Sequence, residues 1–126
     1  MDEVRSADTE VGESVMADVF NALGDPVRVA IVDELITHHA QTLFELVLRL
    51  SNDRGVTLSR QAISKHLAVL EDAGIVRITR VGRTSVHAID GTRLAEAREW
   101  LAIRLDHLGS RSSHSLSTQI HERKDR

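Results

Sequence analysis

The sequence predicts a mostly α-helical domain with one small β-hairpin, its elements in the order α-α-α-α-β-β-α. The first indication is size and composition: 126 residues, of which 41% are hydrophobic and 28% charged, suit one globular domain. The second is that most apolar residues recur at helical spacing. The third is that this spacing changes to strict alternation only after Gly74, as expected for strands.

The first two predicted helices lie on either side of a glycine. Residues 14–23 carry apolar side chains at every fourth position, which predicts an amphipathic helix that Gly24 ends. Asp25 followed by Pro26 is a helix start, because the carboxylate accepts free backbone N–H groups and proline fixes φ where no donor is needed. The second helix is predicted to run to about His39. Its apolar residues cover most of its circumference, which indicates burial between neighbouring elements.

The third predicted helix begins with a capping box formed by Thr42 and Glu45. It is predicted over residues 43–50, which are nearly all apolar. The sequence SNDRG at 51–55 is rich in turn-forming residues and predicts the connection to the next helix.

The fourth predicted helix, Arg60 to Ala73, is capped by Ser59 and ended by Gly74. Apolar and polar residues then alternate from Ile75 to Arg80, and a second alternating run follows the sequence VGRT. These runs predict two antiparallel strands with a tip near Gly82. Two helices followed by such a hairpin make a winged helix-turn-helix.

The fifth predicted helix begins at Thr92 and carries an apolar stripe up to Leu108. A two-fold dimer through the first and last helices is the simplest way to cover the stripes at both chain ends, and packing within one chain is the alternative. The predicted domain therefore covers 14–108, between an acidic, disordered N-terminus (1–13) and a flexible, serine-rich tail (109–126). The predicted dimerisation residues are Val15, Val19, Leu23, Leu94, Leu101 and Leu105.

The charge is unevenly distributed along the chain. The net charge is −3, and the first 25 residues hold seven acidic side chains against one arginine. Residues 54–83 reverse the sign, with six basic side chains against two acidic ones, a patch that phosphate groups would attract. A solvated surface explains such a patch equally well on charge alone.

Several classes of function are excluded or disfavoured. The chain has no cysteine, which excludes disulfides, thiolate nucleophiles and thiolate metal sites. The glycines are isolated, and H-E-x-x-H and G-x-S-x-G are absent, so we expect no enzyme and no cofactor. No apolar run approaches the ~20 residues of a membrane span, and the acidic N-terminus is unlike a signal peptide. The sequence thus predicts a cytoplasmic protein without a membrane partner.

The strongest chemical signal is on the fourth predicted helix. A rotation of 100° per residue places Ile63, Leu67 and Leu70 on a core face and leaves polar groups on the front of the helix. Arginine and glutamine bind guanine and adenine edges through paired hydrogen bonds, and serine and lysine reach bases or phosphates. The arginine-rich hairpin adds contacts for neighbouring phosphates or a minor groove. Double-stranded DNA is therefore the predicted partner, contacted by Ser59, Arg60, Gln61, Ser64, Lys65, Arg77, Arg80, Arg83 and Thr84.

These segments carry a family resemblance. The sequences FNALGDPVRVAIVDEL (20–35), LSRQAISKHLAVLEDAGIV (58–76) and RVGRTSVHAI (80–89) resemble the ArsR, or arsenical-resistance repressor, family of winged-helix regulators. The resemblance covers residues 15–105, and the Ser64–Val76 run is specific in combination. It implies a homodimeric, promoter-binding repressor with a recognition helix at Arg60–Ala73 and a wing at Ile75–Ile89. It also implies dimerisation through the first and last helices.

Three departures from the family pattern concern the signal and the helix placement. The cysteine pair of many family metal sensors is missing, which excludes arsenite sensing. Asp106 and His107 are adjacent, whereas other family sensors space these ligands as Asp-x-His. The connection from Leu50 to Ser59 looks longer than the family's usual turn. The effector therefore stays unknown.

Two alternative functions stay open. One is a repressor that senses nickel, cobalt or zinc through histidines and carboxylates. Along one helix, His107, His114 and His121 would lie about 10.5 Å apart in succession, too far to share an ion by themselves. The other alternative is a winged-helix adaptor that binds protein, which would carry hydrophobic or acidic side chains on the fourth helix. Residues considered for the metal site are His87, Asp106, His107, His114, His121 and Glu122.

Overall fold

The computed structural model describes the backbone of residues 2–124 and the side chains of residues 12–110. The predicted order of elements is confirmed, with one additional strand. The predicted bounds of the first and last helices are too short, because the backbone of α1 begins at Asp2 instead of residue 14 and that of α5 continues past Leu108 to Lys124. The division into an N-terminal segment (1–13), a domain (14–108) and a tail (109–126) stays a prediction. The elements are α1 (Asp2–Ala22), α2 (Pro26–His38), β1 (Gln41–Thr42), α3 (Leu43–Arg54), α4 (Arg60–Asp72), β2 (Val76–Val81), β3 (Thr84–Ile89) and α5 (Gly91–Lys124).

Asp25 joins α1 to α2 as the sequence predicts. Its Oδ1 atom accepts hydrogen bonds from the backbone N–H groups of Val27 (2.8 Å) and Arg28 (3.1 Å). The Arg28 side chain turns back and donates from Nε to the carbonyl oxygen of Ala22 at 2.7 Å. Two free N–H groups at the start of α2 and one free carbonyl oxygen at the end of α1 thereby gain hydrogen-bond partners, which fixes the corner between the two helices.

The predicted end of α3 is wrong, although its start is confirmed. Thr42 and Glu45 form the capping box, but the helix continues through Arg54 instead of ending at Leu50. Gly55 stops it in the left-handed conformation (φ 67°), where its N–H donates to the carbonyl oxygen of Leu50. The connection to α4 is therefore only residues 55–59, which also corrects the long connection expected from the sequence.

The sheet has three strands, in the order β1-β3-β2, whereas the sequence predicts two. The hairpin of β2 and β3 is confirmed, with Val81 opposite Thr84 across the turn. The strand β1 contains only Gln41 and Thr42, which pair with His87 and Val86 of β3. Two residues carry no alternating pattern, so only the pairing itself identifies them as a strand.

The core of residues 1–94 is formed by the inner faces of α1–α4 and the base of the sheet. The predicted core face of α4 is confirmed, because Ile63, Leu67 and Leu70 are buried. The opposite face of α4 is thereby left on the surface. Among the residues whose side chains are described, the other large apolar side chains that are fully buried are Val19, Ile31, Leu35, Leu46, Leu50 and Ile75.

The chain divides into two compact units, residues 1–94 and 95–126. Within the second unit, Leu101 and Leu105 are 46% and 59% exposed, and Ile103 and Leu108 are also exposed. Val19, predicted at the same dimer surface, is fully buried in the single chain. No helix in the described part of the chain is long and apolar enough to cross a membrane.

Candidate nucleic-acid interface

The N-terminal half of α4 presents a polar surface. Ser59 caps the helix, and its Oγ accepts a hydrogen bond from the N–H of Ala62 at 3.1 Å. Gln61, Ser64 and Lys65 are exposed, as the helical spacing predicts. Ser59 therefore has a structural function in addition to any contact with a ligand.

The hairpin of β2 and β3 forms the wing beside α4. Gly82 turns the chain at φ 65°, a conformation that glycine adopts without strain, and leaves Arg83 and Thr84 at the tip. Arg80 lies opposite Ser85 in the register, and Ile78 lies opposite His87. Because side chains two residues apart share a face of a strand, these four lie on one face of the wing.

A cleft of about 610 Å³ separates α4 from the wing. Arg60 and Ser64 line it from α4, and Arg83 and Thr84 line it from the wing tip. Four predicted contact residues therefore surround one concave surface with two guanidinium groups and two hydroxyl groups. The sequence misses the cleft residues Thr42, Leu43, Phe44, Ile78, Ser85 and His87, of which Ser85 could have been placed from the hairpin register.

Arg77 is the predicted contact that lies apart from the others. It is opposite Ala88 near the base of the hairpin, on the face that alternates with the face of Arg80. Its guanidinium lies 3.8 Å from the carboxylate of Asp90. The strand alternation separates the two arginines, and the register places Arg77 near the base of the wing, where its charge lies beside that of Asp90.

A polar network positions α4 against the α1–α2 corner. Arg28 Nη1 lies 3.3 Å from His66 Nδ1, and the Nδ1 atom lies 4.0 Å from Asp25 Oδ1. Hydrogen bonds from the backbone of Arg28 and Val27, with the nearby charges of Arg28 and His66, lower the pKa of Asp25 despite its desolvation. The carboxylate consequently stays ionised and keeps this corner in place at neutral pH.

His87 is the buried member of the cleft. It lies at the centre of the sheet, between Gln41 of β1 and Ile78 of β2, and its Nδ1 atom has no hydrogen-bond partner among the described residues. Burial lowers the pKa of His87 below 6.5, and the charge of Glu71 offsets only part of this effect. The imidazole is therefore neutral at neutral pH.

The residues that the sequence suggests for a metal site differ in their position along the chain and in their burial. His87 is buried in the sheet, whereas Asp106 and His107 are exposed on α5. His114, His121 and Glu122 lie outside the residues whose side chains are described. The metal-sensing alternative through these residues stays untested.

Comparisons with known proteins agree with this arrangement. A family model described as a helix-turn-helix domain matches residues 23–79. A curated relative, the uncharacterized HTH-type transcriptional regulator YuzN of Bacillus subtilis strain 168, is 48% identical over 68 residues, which cover 54% of this chain and 74% of the relative.

Two solved structures extend the similarity beyond the helix-turn-helix. An ArsR-like transcriptional regulator from Rhodococcus sp. RHA1 is 31% identical, with a TM-score of 0.61 over 84% of this chain and 90% of that one. A crystal structure of an ArsR family transcriptional regulator is 27% identical, with a TM-score of 0.67 over 79% of this chain and 96% of that one. With the motifs, the fold and the wing beside α4, these similarities show that the chain belongs to the ArsR family of winged-helix transcriptional regulators.

Proposed function

We propose that the protein is a homodimeric repressor that binds an inverted-repeat DNA operator, with α4 in the major groove. The main support is the arrangement of α4 and the wing, where exposed base-reading side chains lie beside the two cleft arginines. Gln61 and Lys65 are on the outer side of α4, where a major groove would meet them. Arg60 and Ser64 face the cleft, where the DNA backbone at the groove edge would lie.

The wing supplies contacts that do not depend on sequence. Arg83 and Thr84 at its tip are suited to backbone phosphates or to the adjacent minor groove. Arg80 shares the cleft-facing side and adds positive charge there. Binding is therefore expected to weaken steeply with salt, because each neutralised phosphate releases counterions.

The surface chemistry disfavours the protein-binding adaptor. The exposed front of α4 carries Gln61, Ser64 and Lys65, without a large apolar side chain among them. An adaptor surface would replace these groups with apolar or acidic residues that exclude water from a protein interface. DNA remains the partner that this surface fits best.

The test compares variants of the two surfaces on an operator selected from a random duplex pool by the intact protein. Gln61→Ala is expected to relax base preference by about 1 to 3 kcal/mol at one position, because it removes a base-edge contact. Arg83→Ala is expected to weaken binding to operator and random DNA alike and to reduce the salt slope by about 1. Fluorescence anisotropy titrations at several salt concentrations measure both effects.

Arg77→Ala provides the internal comparison, because it removes the same charge from the other face of the same hairpin. It is expected to reduce affinity less than Arg83→Ala. If Gln61→Ala and Arg83→Ala both bind operator and random DNA like the parent, the proposed surface is wrong.

Repression itself requires a test in cells. A reporter gene behind the selected operator should be less active when the intact protein is present than when it is absent. The same reporter with a scrambled operator is the control, and an increase in expression on the intact operator would identify an activator.

A further inference from the structure

A group of potential metal ligands lies where the ends of α2 and α3 meet. Glu34 and His38 are one helical turn apart on α2, and Asp53 is in the last turn of α3. One donor atom from each side chain lies within 4.8 Å of those of the other two. The pattern Glu-x-x-x-His places two ligands on one helix face, and the fold adds the third from a helix 15 residues further along the chain.

Glu34 is the buried member of this cluster. Its side chain is 1% exposed, and Arg54 Nε donates to Oε2 at 2.5 Å. The other oxygen, Oε1, is also buried and lies 2.7 Å from His38 Nδ1, an ion-pair distance. Two bare lone pairs repel each other at this separation, so either a proton on Nδ1 or a metal ion that replaces it has to lie between the two atoms. Oε1 and Nδ1 therefore already face each other as two ligands of one ion would.

The charges around the cluster favour a cation. Glu34 and Asp53 contribute two negative charges, Arg54 contributes one positive charge, and His38 is neutral when it acts as a ligand. Arg54 donates to Oε2, the carboxylate oxygen that would not bind the ion, and so fixes the orientation of the carboxylate, as hydrogen-bond partners of metal ligands commonly do. Arg54 thereby leaves Oε1 directed at the other two donors.

We propose that Glu34, His38 and Asp53 bind one divalent transition-metal ion, with water completing its coordination. One imidazole nitrogen and two carboxylate oxygens are the donors that zinc, cobalt, nickel and manganese accept. Ligand atoms around a tetrahedral zinc ion are roughly 3.4 Å apart, given bonds of about 2.0 to 2.1 Å. His38 and Asp53 are exposed, so small rotations of their side chains can adjust the donor distances, which include 2.7 Å between His38 and Glu34, while Glu34 stays fixed.

A metal ion at this site would affect the proposed DNA interface through the short segment that joins α3 to α4. Residues 55–59 lead directly from the end of α3 to α4, so an ion that binds α2 and Asp53 together restrains the start of α4. We expect operator affinity to depend on the ion for this reason. This consequence rests on the proposed function, whereas metal binding by itself does not.

Metal binding is tested on the full chain without DNA. The histidines of the last helix and tail are first removed by His107→Asn, His114→Asn and His121→Asn, so that they do not bind the ion. Zn²⁺ is titrated by calorimetry, and Co²⁺ is followed by visible absorption, which reports coordination by the protein. One ion per chain is the expected result, and no stoichiometric binding of either ion would overturn the proposal.

Matched variants in that background locate the site. His38→Asn and Asp53→Asn are expected to weaken binding by about tenfold or more, because each removes one ligand. His39→Asn and Asp33→Asn make the same changes at exposed neighbours outside the cluster and are expected to leave binding unchanged. His39 has φ 63° and ψ −149°, which strains any residue with a Cβ, so histidine and asparagine carry a similar backbone cost at this position. Equal affinity in His38→Asn and the His39→Asn control would place the ion elsewhere.

The regulatory consequence has its own measurement. Operator titrations with and without Zn²⁺ should differ in affinity for the background chain and agree for the His38→Asn variant. Metal binding without any change in operator affinity would confirm the site and overturn the regulatory consequence. Failure to bind operator under either condition would overturn the proposed function and leave the metal measurements intact.

Discussion

At the scale of single residues, a buried carboxylate decides how the ends of α2 and α3 meet. Glu34 is inside the core and Arg54 is 20 positions away in sequence, yet their side chains form an ion pair. Burial alone would raise the pKa of Glu34, but the hydrogen bond and charge of Arg54, together with nearby His38, lower it overall. The carboxylate therefore stays charged at neutral pH and depends on its partner.

Replacing Arg54 with glutamine is expected to destabilise the protein by about 3 kcal/mol at pH 7, because it leaves a buried charge without its counterion. Glu34 has a lowered pKa in the folded parent, so its contribution to stability is present above its ordinary value of 4.5 and lost as the pH falls below it. The difference in free energy of unfolding between the parent and the Arg54→Gln variant should therefore become smaller below pH 4.5. Urea unfolding at several pH values measures this difference.

Arg49→Gln is the matched control for this prediction, since it removes an arginine from the same helix outside the buried ion pair. It is expected to change stability by no more than about 0.5 kcal/mol. A similar loss in both variants would mean that the net charge of α3, and not the burial of Glu34, determines the effect.

His87 gives a second prediction on pH dependence, in which stability is again lost as the pH falls. Because burial lowers its pKa below 6.5, its contribution to stability is complete above pH 6.5 and is lost as the pH falls through and below that value. His87→Leu removes the titrating group, so the parent should lose more stability than this variant between pH 7 and pH 5. His107→Leu, at an exposed histidine, should keep the pH dependence of the parent. Thermal unfolding at each pH distinguishes these outcomes.

At the scale of elements, local sequence signals determine where most helices begin. Asp25 with Pro26, Thr42 with Glu45, and Ser59 each cap the predicted helix, because a cap needs only residues within one turn. The end of α3 is less predictable. Residues 51–54 favour a turn by themselves, but in the structure they form the last turn of α3. The helix ends only at Gly55, whose N–H donates a hydrogen bond to the carbonyl oxygen of Leu50.

Gly55 and Gly74 have similar φ angles but different surroundings. Replacing each with alanine therefore distinguishes the cost of backbone strain from the cost of a steric clash. Gly55 (φ 67°) has open space where a Cβ would be, whereas a Cβ on Gly74 (φ 79°) would lie 2.9 Å from Cγ of Arg93. Gly55→Ala is expected to cost about 1 kcal/mol, because a side chain disfavours the left-handed conformation. Gly74→Ala should cost more, since Arg93 must also move. Chemical denaturation compares them, and equal losses would mean that Arg93 moves without cost.

At the scale of the whole molecule, α5 carries an exposed apolar stripe in the second compact unit. Leu101 and Leu105 are about half exposed, and Leu108, which lies on the same side of the helix, is exposed as well. Exposed apolar stripes on helices are typical of interfaces between subunits. The proposed dimer therefore depends more on α5 than on Val19, which the single chain already buries.

Light scattering is expected to report a particle of about twice 14.0 kDa for the parent at micromolar concentration. Leu105→Glu places a charge in the stripe and should shift the equilibrium to a single chain, because a charge in an apolar interface is costly to desolvate. Ala95→Glu adds the same charge at an exposed α5 position beside the stripe and should stay dimeric. A measured mass of about 14.0 kDa for the parent would contradict the proposed dimer.

The sequence by itself determined the starts of α2, α3 and α4, the core face of α4, the hairpin and its tip, and the polar side chains on the front of α4. Each depends on interactions within a few residues, which leave a periodic or capping pattern in the chain. Only the tertiary structure decided that Gln41 and Thr42 form a strand, that Arg60 and Arg83 line one cleft, and that Glu34, His38 and Asp53 come together. These depend on contacts between residues far apart in sequence, whose positions are set by packing of the core and not by any local pattern.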